Sequence, residues 1–393
     1  MLKDALLQPQ VQDYINQHLN ADPTELLLRG LPFEDIDPKL IIEQIEAKKR
    51  CEKKLPTWYK AENIYYPNKL NIEQTSSEQT AAYKAALVSG KSLIDVTGGF
   101  GVDTYYFSKQ IEQVIHCEIN TELSARVAHN FKSLDAEHIT CLSTDGVQAV
   151  TELKTPLDWI YIDPSRRDQS KQKVFLLTDC APDITVYKTV FLKQSKNVMI
   201  KTSPLLDLTA TLRDLEHVKE IHIVALQNEV KELLWILERD FTARPHIKTI
   251  NLLKSKHQHF DFNIDEESSS IATYSKPLDY LYEPNAAALK SGGFHILSQK
   301  LKVDKLHQHA HLYTSNTLLE FPGRRFKIEK VLPYNKKALA KEKIVKANIT
   351  TRHFPIPVKD LRKKFKIKDG GEIYLFFTTD TDNSKIVIVC SKV

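Results

Sequence analysis

The sequence predicts an α/β fold: a seven-stranded, doubly wound sheet, Rossmann-like in its chain path, with an N-terminal helical extension before it and a small α+β C-terminal domain after it. Three observations lead there. Ser92-Leu-Ile-Asp-Val-Thr-Gly-Gly-Phe-Gly-Val-Asp-Thr104 reads as a buried strand entering a glycine-rich turn, and Val102, Tyr105, Tyr106 and Phe107 then repeat at helical spacing. Short apolar runs recur after it, separated by helical stretches, and the first four lead into acids, Asp95, Glu118, Asp145 and Asp163. The polar segment Asn263-Ile-Asp-Glu-Glu-Ser-Ser-Ser270 closes this alternation, and beyond it basic residues accumulate.

Residues 1–75 are helical in pattern. Leu2, Ala5, Leu6, Val11, Tyr14, Ile15 and Leu19 fit one face, and further segments open at Thr24 and Pro38. The run Lys48-Lys-Arg50 with Lys53 and Lys54, followed by Trp58, Tyr59, Tyr65 and Tyr66, reads as a solvated helix end beside core aromatics in preference to a nucleic-acid patch. Ser76-Ser-Glu-Gln79 fits a capping box with Ser76 as the cap, opening a helix to about residue 88.

In the first turn, Gly98, Gly99 and Gly101 allow positive φ and close approach of a ligand, and the helix start at Val102 offers free N–H groups to an anion. A nucleotide-like cofactor suits that turn. The next strand, Val114-Ile-His-Cys-Glu-Ile-Asn120, places Glu118 to accept hydrogen bonds from ribose hydroxyls. His138-Ile-Thr-Cys-Leu-Ser143 leads into Thr144-Asp145-Gly146, and residues 157–162 lead into Asp163-Pro164-Ser165-Arg166-Arg167. Helices over 183–194 and 229–238 and strands at 197–200, 221–225 and 247–253 complete the sheet.

After the boundary, residues 284–290 look like a capped helix, and His307, His309 and His311 recur at the period of one strand face. No carboxylate or cysteine adjoins them, so no metal is expected. From residue 317 on come Arg324, Arg325, Lys327 and Lys330, then Lys336, Lys337, Lys341, Lys343 and Lys346, then Arg352, Arg362, Lys363, Lys364, Lys366 and Lys368. Phe321, Phe326, Tyr334, Phe354 and Phe365 are interleaved, a footprint for phosphate with aromatics to stack on bases, so a nucleic acid is the expected partner in preference to a merely solvated basic surface. Residues 370–377 and 384–390 read as a hairpin.

The whole composition constrains less. With 393 residues the chain has room for several domains, expected at 1–75, 76–270, 271–318 and 319–393. Fifty-five Lys and Arg against 50 Asp and Glu leave +5, so partner choice rests on the distribution of charge. Five scattered cysteines without a C-x-x-C pair argue against a disulfide framework or a zinc site. No run of ~18 apolar residues offers a membrane span, and a cytoplasmic location is expected.

The order of strand tips resembles class I methyltransferases that use S-adenosylmethionine (SAM). That resemblance implies a SAM cofactor, with Asp95, Thr97, Gly98, Gly99, Gly101 and Asp103 around the methionine part, Glu118 and Ile119 at the ribose, and Asp145 and Gly146 at the adenine. Asp163, Pro164, Ser165 and Arg166 would face the methyl group and its acceptor. The competing NAD reading wants G-x-G-x-x-G, and here Thr104 stands where the last glycine belongs. Together with Arg352-His-Phe-Pro355 and Leu361-Arg-Lys-Lys-Phe-Lys-Ile-Lys-Asp-Gly-Gly371, the pattern is similar to bacterial class I methyltransferases that carry a ferredoxin-like segment and a THUMP-like domain. The resemblance implies an RNA methyltransferase acting on tRNA or rRNA. The D-x-T-x-G-x-G-x-D form of the first motif also resembles guanine-N2 rRNA enzymes, while a Ser-Arg in place of Pro-Pro and an aromatic at the fourth corner departs from adenine-N6 enzymes. Lys201-Thr-Ser-Pro204 resembles the segment of uracil-C5 enzymes that carries their nucleophilic cysteine, and no cysteine stands there. A methyltransferase of a small molecule or protein, or a non-catalytic RNA-binding factor keeping the fold, are the alternatives.

Overall fold

The computed structural model describes residues 4–166 and 176–393. It divides into two units, Met1–Lys219 with Leu234–Thr242, and Glu220–Leu233 with Ala243–Val393. In the first unit, helices Pro9–Gln17, Pro23–Arg29, Pro38–Lys54 and Pro56–Lys60 each open on a proline, whose missing N–H would have no partner there. Asp22 and Asp37 cap the second and third, accepting from Thr24 N at 2.7 Å and Lys39 N at 2.9 Å. The basic run is structural: Lys54 donates to the carbonyls of Ile72 and Glu73 at 2.8 Å each, Arg50 pairs with Glu73 at 2.8 Å, and Lys48 is buried near Tyr59.

Helix Glu78–Ala85 is capped by Ser77, whose Oγ accepts from Thr80 N at 3.2 Å. The expected cap, Ser76, donates instead to Asp103 at 2.8 Å. A buried carboxylate competes for that hydroxyl, which moves the helix start by one residue.

Strands β1 (Ser92–Asp95), β2 (Gln113–Cys117), β3 (Thr140–Leu142), β4 (Leu157–Ile162) and β5 (Ser195–Thr202) lie in the order β5-β4-β1-β2-β3, all parallel. Leu93, Ile94, Ile160 and Met199 are inaccessible, as expected for strands covered on both faces. The chain runs outward from β1 through β2 and β3 and returns on the other side as β4. That reversal opens a crevice beyond the carboxyl ends of β1 and β4.

Two further strands follow, β6 (Val218–Leu226) and β7 (Glu229–Glu238). The sequence reading of 229–238 as a helix is therefore corrected. Leu233, Leu234, Trp235, Ile236 and Leu237 are all buried, and the period of such an apolar run does not separate a two-sided strand from a buried helix. The end of β7 is held against β5, where Arg239 N donates to Lys196 O at 2.9 Å and Trp235 Nε1 to Thr202 Oγ1 at 3.0 Å.

In the second unit, β8 (His246–Leu252) pairs parallel with β6 and antiparallel with β9 (Gln258–Asn263). The polar segment after it is a helix, Ile264–Ser269, closed by a capping box between Asn263 and Glu266. Asn285 likewise caps helix Ala286–Ser291, accepting from Ala288 N at 2.9 Å. Strands β10 (Tyr280–Pro284), β11 (Asp304–Lys305), β12 (Tyr313–Ser315), β13 (Gly323–Pro333), β14 (Lys346–Thr351), β15 (Lys368–Thr379) and β16 (Lys385–Lys392) form a second sheet in the order β11-β12-β10-β13-β16-β15-β14. β15 and β16 pair antiparallel, as the hairpin reading anticipates.

Period-two alternation along β15 and β16 fills two cores: Phe376 and Ile388 pack with Leu281 and Phe326, whereas Phe377 and Val387 pack with Leu339 and Leu361 of helices Lys336–Lys341 and Val358–Phe365. This corrects the expectation of aromatics free to stack on bases. Phe321 and Phe326 are buried, and Tyr334, Phe354 and Phe365 meet Phe377 with centroids 5.6–6.1 Å apart. Of the basic side chains, Arg324 and Arg352 converge on buried Glu283, at 2.7 Å and 2.8 Å. His307, His309 and His311 sit in a turn and not on a strand; His307 stacks on His353 at 4.5 Å and His311 on Phe294 at 3.7 Å. Among the described residues no group of three or more His, Cys, Asp or Glu could hold a metal ion, and no helix is long and apolar enough to cross a membrane.

Candidate active site

A cleft of about 810 Å³ opens at the carboxyl ends of the first unit's parallel strands. Asp95, at the end of β1, is 1% exposed and ties its loop to the helix that follows. Its Oδ1 accepts from Thr97 N at 3.0 Å and its Oδ2 from Thr104 Oγ1 at 2.7 Å. Burial pushes this carboxyl up to about 7, against the pull of the Thr104 hydroxyl and the Thr97 amide and with the help of the Asp103 and Asp163 charges.

The glycines of the loop meet different demands. Gly98 passes over the ring of His116 on β2, and a Cβ there would stand 2.2 Å from Nε2. His116 is inaccessible, neither ring nitrogen has a hydrogen-bond partner, and burial lowers it to about 4, so the ring under the loop is neutral. Gly99, at φ +54°, donates its N–H to Glu118 Oε2 at 3.1 Å. Gly101, at φ +78°, is pressed against Phe131, with Cζ 2.6 Å from where a Cβ would be.

The other strand tips converge on the same cleft. Glu118 also accepts from Asn120 N at 2.7 Å. Asp145 caps helix Gly146–Thr151, accepting from Val147 N at 2.7 Å, and Gly146 lies so close to β1 that a Cβ would be 2.2 Å from Val96 O. Asp163, at the end of β4, donates its backbone N–H to Thr97 Oγ1 at 2.7 Å, which joins the β1 and β4 tips directly. Its carboxylate forms an ion pair with Lys201 near the end of β5.

Beneath the loop lies a second ionic group. Asp103 accepts from Ser76 Oγ at 2.8 Å and Tyr161 OH at 2.7 Å and pairs with Lys84 at 3.2 Å. Burial works to raise the Asp103 carboxyl, but the Lys84 and Lys201 ammoniums and the two hydroxyls outweigh it and hold the group below the usual range. Lys84 itself is inaccessible.

Of the residues singled out from the sequence, Asp95, Thr97, Gly98, Gly99, Asp103, Glu118, Ile119, Asp145, Gly146, Asp163 and Ser165 line this one cleft. Gly101 and Pro164 do not; Gly101 serves the packing of the loop on Phe131. The Arg166 side chain and the whole of Arg167, Asp168, Lys171 and Lys173 fall outside the described residues. Ser165 pairs with Ala181 in a short antiparallel bridge, which brings Pro182, Asp183 and Tyr187 to the rim. Sequence reasoning had no role for Lys201, Tyr161 or His116. A charged residue ending an apolar strand is a signal in the case of Lys201, but its partner depends on β5 lying beside β4, which the sequence does not state.

Residues 323–392 match the family model of a THUMP domain-like region, and residues 280–322 that of a ferredoxin-like domain. The crystal structure of a putative methyltransferase from Porphyromonas gingivalis W83 matches over 100% of this chain and 99% of that one, with 32% identity and a TM-score of 0.88. The chain belongs to this class I methyltransferase family, with its ferredoxin-like segment and THUMP-like domain. Its cleft is thus the crevice of a methyltransferase fold. Two smaller structures match over part of the chain: a putative methyltransferase from Streptococcus mutans in complex with SAH (13% identity, 41% of this chain, 96% of that one, TM-score 0.31) and an rRNA methylase from Streptococcus thermophilus (14%, 41%, 94%, 0.30). No curated protein matches the chain.

The close approach of Gly98 to His116 makes a direct test. Gly98→Ala is expected to cost about 1–3 kcal/mol of stability in urea unfolding, the usual penalty of overpacking. Combining it with His116→Ala is expected to cost less than the sum of the two single changes, because the ring that collides with the new methyl is gone.

Proposed function

We propose that this chain transfers a methyl group from SAM to a base in RNA, tRNA or rRNA, with the C-terminal domain presenting the RNA. The observation that carries the reading is the convergence of Asp95, Gly99, Glu118, Asp145 and Asp163 on one cleft at the reversal of strand order. The residues fit the cofactor: Gly98 and Gly99 leave backbone room, Glu118 and Asp145 supply acceptors for ribose hydroxyls and the adenine amine, and Ile119 offers an exposed apolar face. Asp95, Thr97, Asp103 and Gly146 shape the same wall, and Gly101 supports the loop from behind.

When bound, SAM supplies a methyl group on a sulfonium, open to in-line displacement. The chain's part is to hold the acceptor in line and to take one proton. Asp163 is assigned to the acceptor: its carboxylate accepts the hydrogen bond of a base amine and then the proton released as the N–C bond forms. Lys201 forms an ion pair with that carboxylate and orients it. Ser165 and Arg166 follow it in the chain and are assigned to the acceptor side.

RNA as substrate is supported by the lysines of the THUMP-like region. Lys336, Lys337, Lys341, Lys359, Lys363, Lys366 and Lys368 are exposed and make no ion pair among the described residues, whereas Arg324, Arg352 and Arg362 are tied to Glu283 and Asp369. A second reading, a small-molecule or protein acceptor, is favoured by the cleft itself. Six carboxylates and no Lys or Arg line it among the described residues, so an RNA would have to leave its phosphates outside and insert only the base.

Comparing modified-nucleoside mass spectra of cells with and without the gene tests the reaction; a missing methylated nucleoside is expected. Asp163→Ala is expected to abolish methylation while SAM affinity in calorimetry changes less than about ten-fold. Reversing Lys336, Lys337, Lys359 and Lys363 to Glu is expected to weaken RNA binding and to flatten its salt dependence by about one unit of slope for each phosphate no longer neutralised. Unchanged RNA affinity favours the small-molecule or protein acceptor. A bound cation favours ionised Asp95, so binding releases its proton, and SAM affinity is expected to rise as pH climbs through about 7. Asp95→Asn is expected to flatten that rise.

A further inference from the structure

We propose that Arg324 and Arg352 of the THUMP-like region, gathered on the buried carboxylate of Glu283 in the ferredoxin-like segment, form a site for one phosphate of the RNA. The inference rests on the RNA reading and deepens it. Exposed lysines attract a polyanion without fixing it, whereas a pair of oriented guanidiniums fixes a single phosphate and with it the register of the strand.

Local sequence and the curvature of the second sheet bring the three side chains together. Gly323 lets β13 press onto β10, since a Cβ there would stand 2.0 Å from Glu283 O, and Arg324 then lies directly opposite Glu283 in the strand pairing. Arg324 donates from Nε to Glu283 Oε2 at 2.7 Å, from Nη2 to the same carboxylate, and from Nη2 to Thr350 Oγ1 at 3.4 Å. Its guanidinium carbon lies 5.4 Å from the centre of the Phe326 ring. Arg352 follows the edge strand β14, which β13, β16 and β15 separate from β10. It nevertheless reaches Glu283 Oε1, from Nε at 3.1 Å and Nη2 at 2.8 Å, so the sheet is curled and these side chains share its concave face. The Arg352 backbone is fixed as well, its N–H donating to Phe377 O at 3.0 Å.

The tie to Glu283 uses only part of each guanidinium. Each has five N–H donors, and among the described residues nothing accepts from Nη1 of either arginine. Fastening the sheet needs one guanidinium to balance one carboxylate. The second places a like charge beside the first, and no other acid among the described residues bonds to either. The two arginine side chains are 40% and 36% exposed, against 4% for that of Glu283, so they reach solvent while the carboxylate that orients them does not. A phosphate supplies both the missing negative charge and the paired oxygens that guanidinium donors match. Because Glu283 already holds both side chains in place, little rotamer freedom is lost when the phosphate arrives.

Modification of arginines by phenylglyoxal, mapped by mass spectrometry on the full chain, tests the site in the unaltered protein. Total bacterial RNA is expected to slow modification of Arg324 and Arg352 by about five-fold or more, while Arg29, 74% exposed in the first unit, reacts as before. Inorganic phosphate at the same phosphorus concentration is expected to protect neither arginine. In filter binding at about 100 mM salt, Arg324→Gln and Arg352→Gln are each expected to weaken RNA binding about five- to ten-fold and to lower its salt slope by about one. The protection pattern is decisive by itself if either variant fails to fold. Equal protection by inorganic phosphate makes this a site for the free anion and overturns its assignment to RNA. RNA that binds the chain yet leaves both arginines reactive overturns the arginine site and spares the RNA reading. RNA that does not bind at all overturns both.

Discussion

The arrangement depends first on the Asp95 carboxylate, which bridges Thr97 N and Thr104 Oγ1 and so ties the end of β1 to the first turn of the helix after the glycine loop. A loop of three glycines has much entropy to lose, and this bridge supplies two directed bonds at a buried carboxylate. Thr97 extends the bridge sideways by accepting from Asp163 N, so the loop, the β1 tip and the β4 tip are joined by hydrogen bonds. Glu118 completes the frame from β2 by accepting from Gly99 N. The acids at the strand tips therefore hold the backbone of an open loop at the wall of the cleft.

Electrostatics shapes the same frame. Burying several carboxylates together costs desolvation and mutual repulsion, visible in the raised pKa of Asp95. Lys84 and Lys201 offset that cost from the side away from the cleft, and Tyr161 and Ser76 donate to Asp103 without adding charge. The C-terminal domain treats its charges differently. Its arginines Arg324 and Arg352 are tied to the buried Glu283, and lysines such as Lys336, Lys337, Lys359 and Lys363 are exposed.

Much of this was legible in the chain. The strand, glycine turn and helix at residues 92–107 were read from contiguous residues, because the preference of Gly for positive φ and the burial of Leu93 and Ile94 are local facts. The acids were recognisable for the same reason, each standing at the end of an apolar run. Where the reading failed, the competing influence was remote in sequence. Ser76 yielded the cap to Ser77 because Asp103, 27 positions away, claimed its hydroxyl. Residues 229–238 became a strand because their apolar run is buried on both faces, and its spacing does not separate such a strand from a buried helix. Phe326 and Phe365 looked like stacking platforms beside lysines until the two faces of β15 and β16 drew them into cores.

The sequence by itself determined the fold class, the site of the loop and the identity of the acids at the strand tips, since each follows from side-chain chemistry and short-range periodicity. Only the tertiary structure decided which tips meet in one cleft, that Lys201 answers Asp163, that Lys84 lies behind Asp103 and that His116 sits neutral beneath Gly98. Those outcomes follow from strand order and from the low dielectric of the interior, and both are properties of the packed chain that no stretch of residues carries alone.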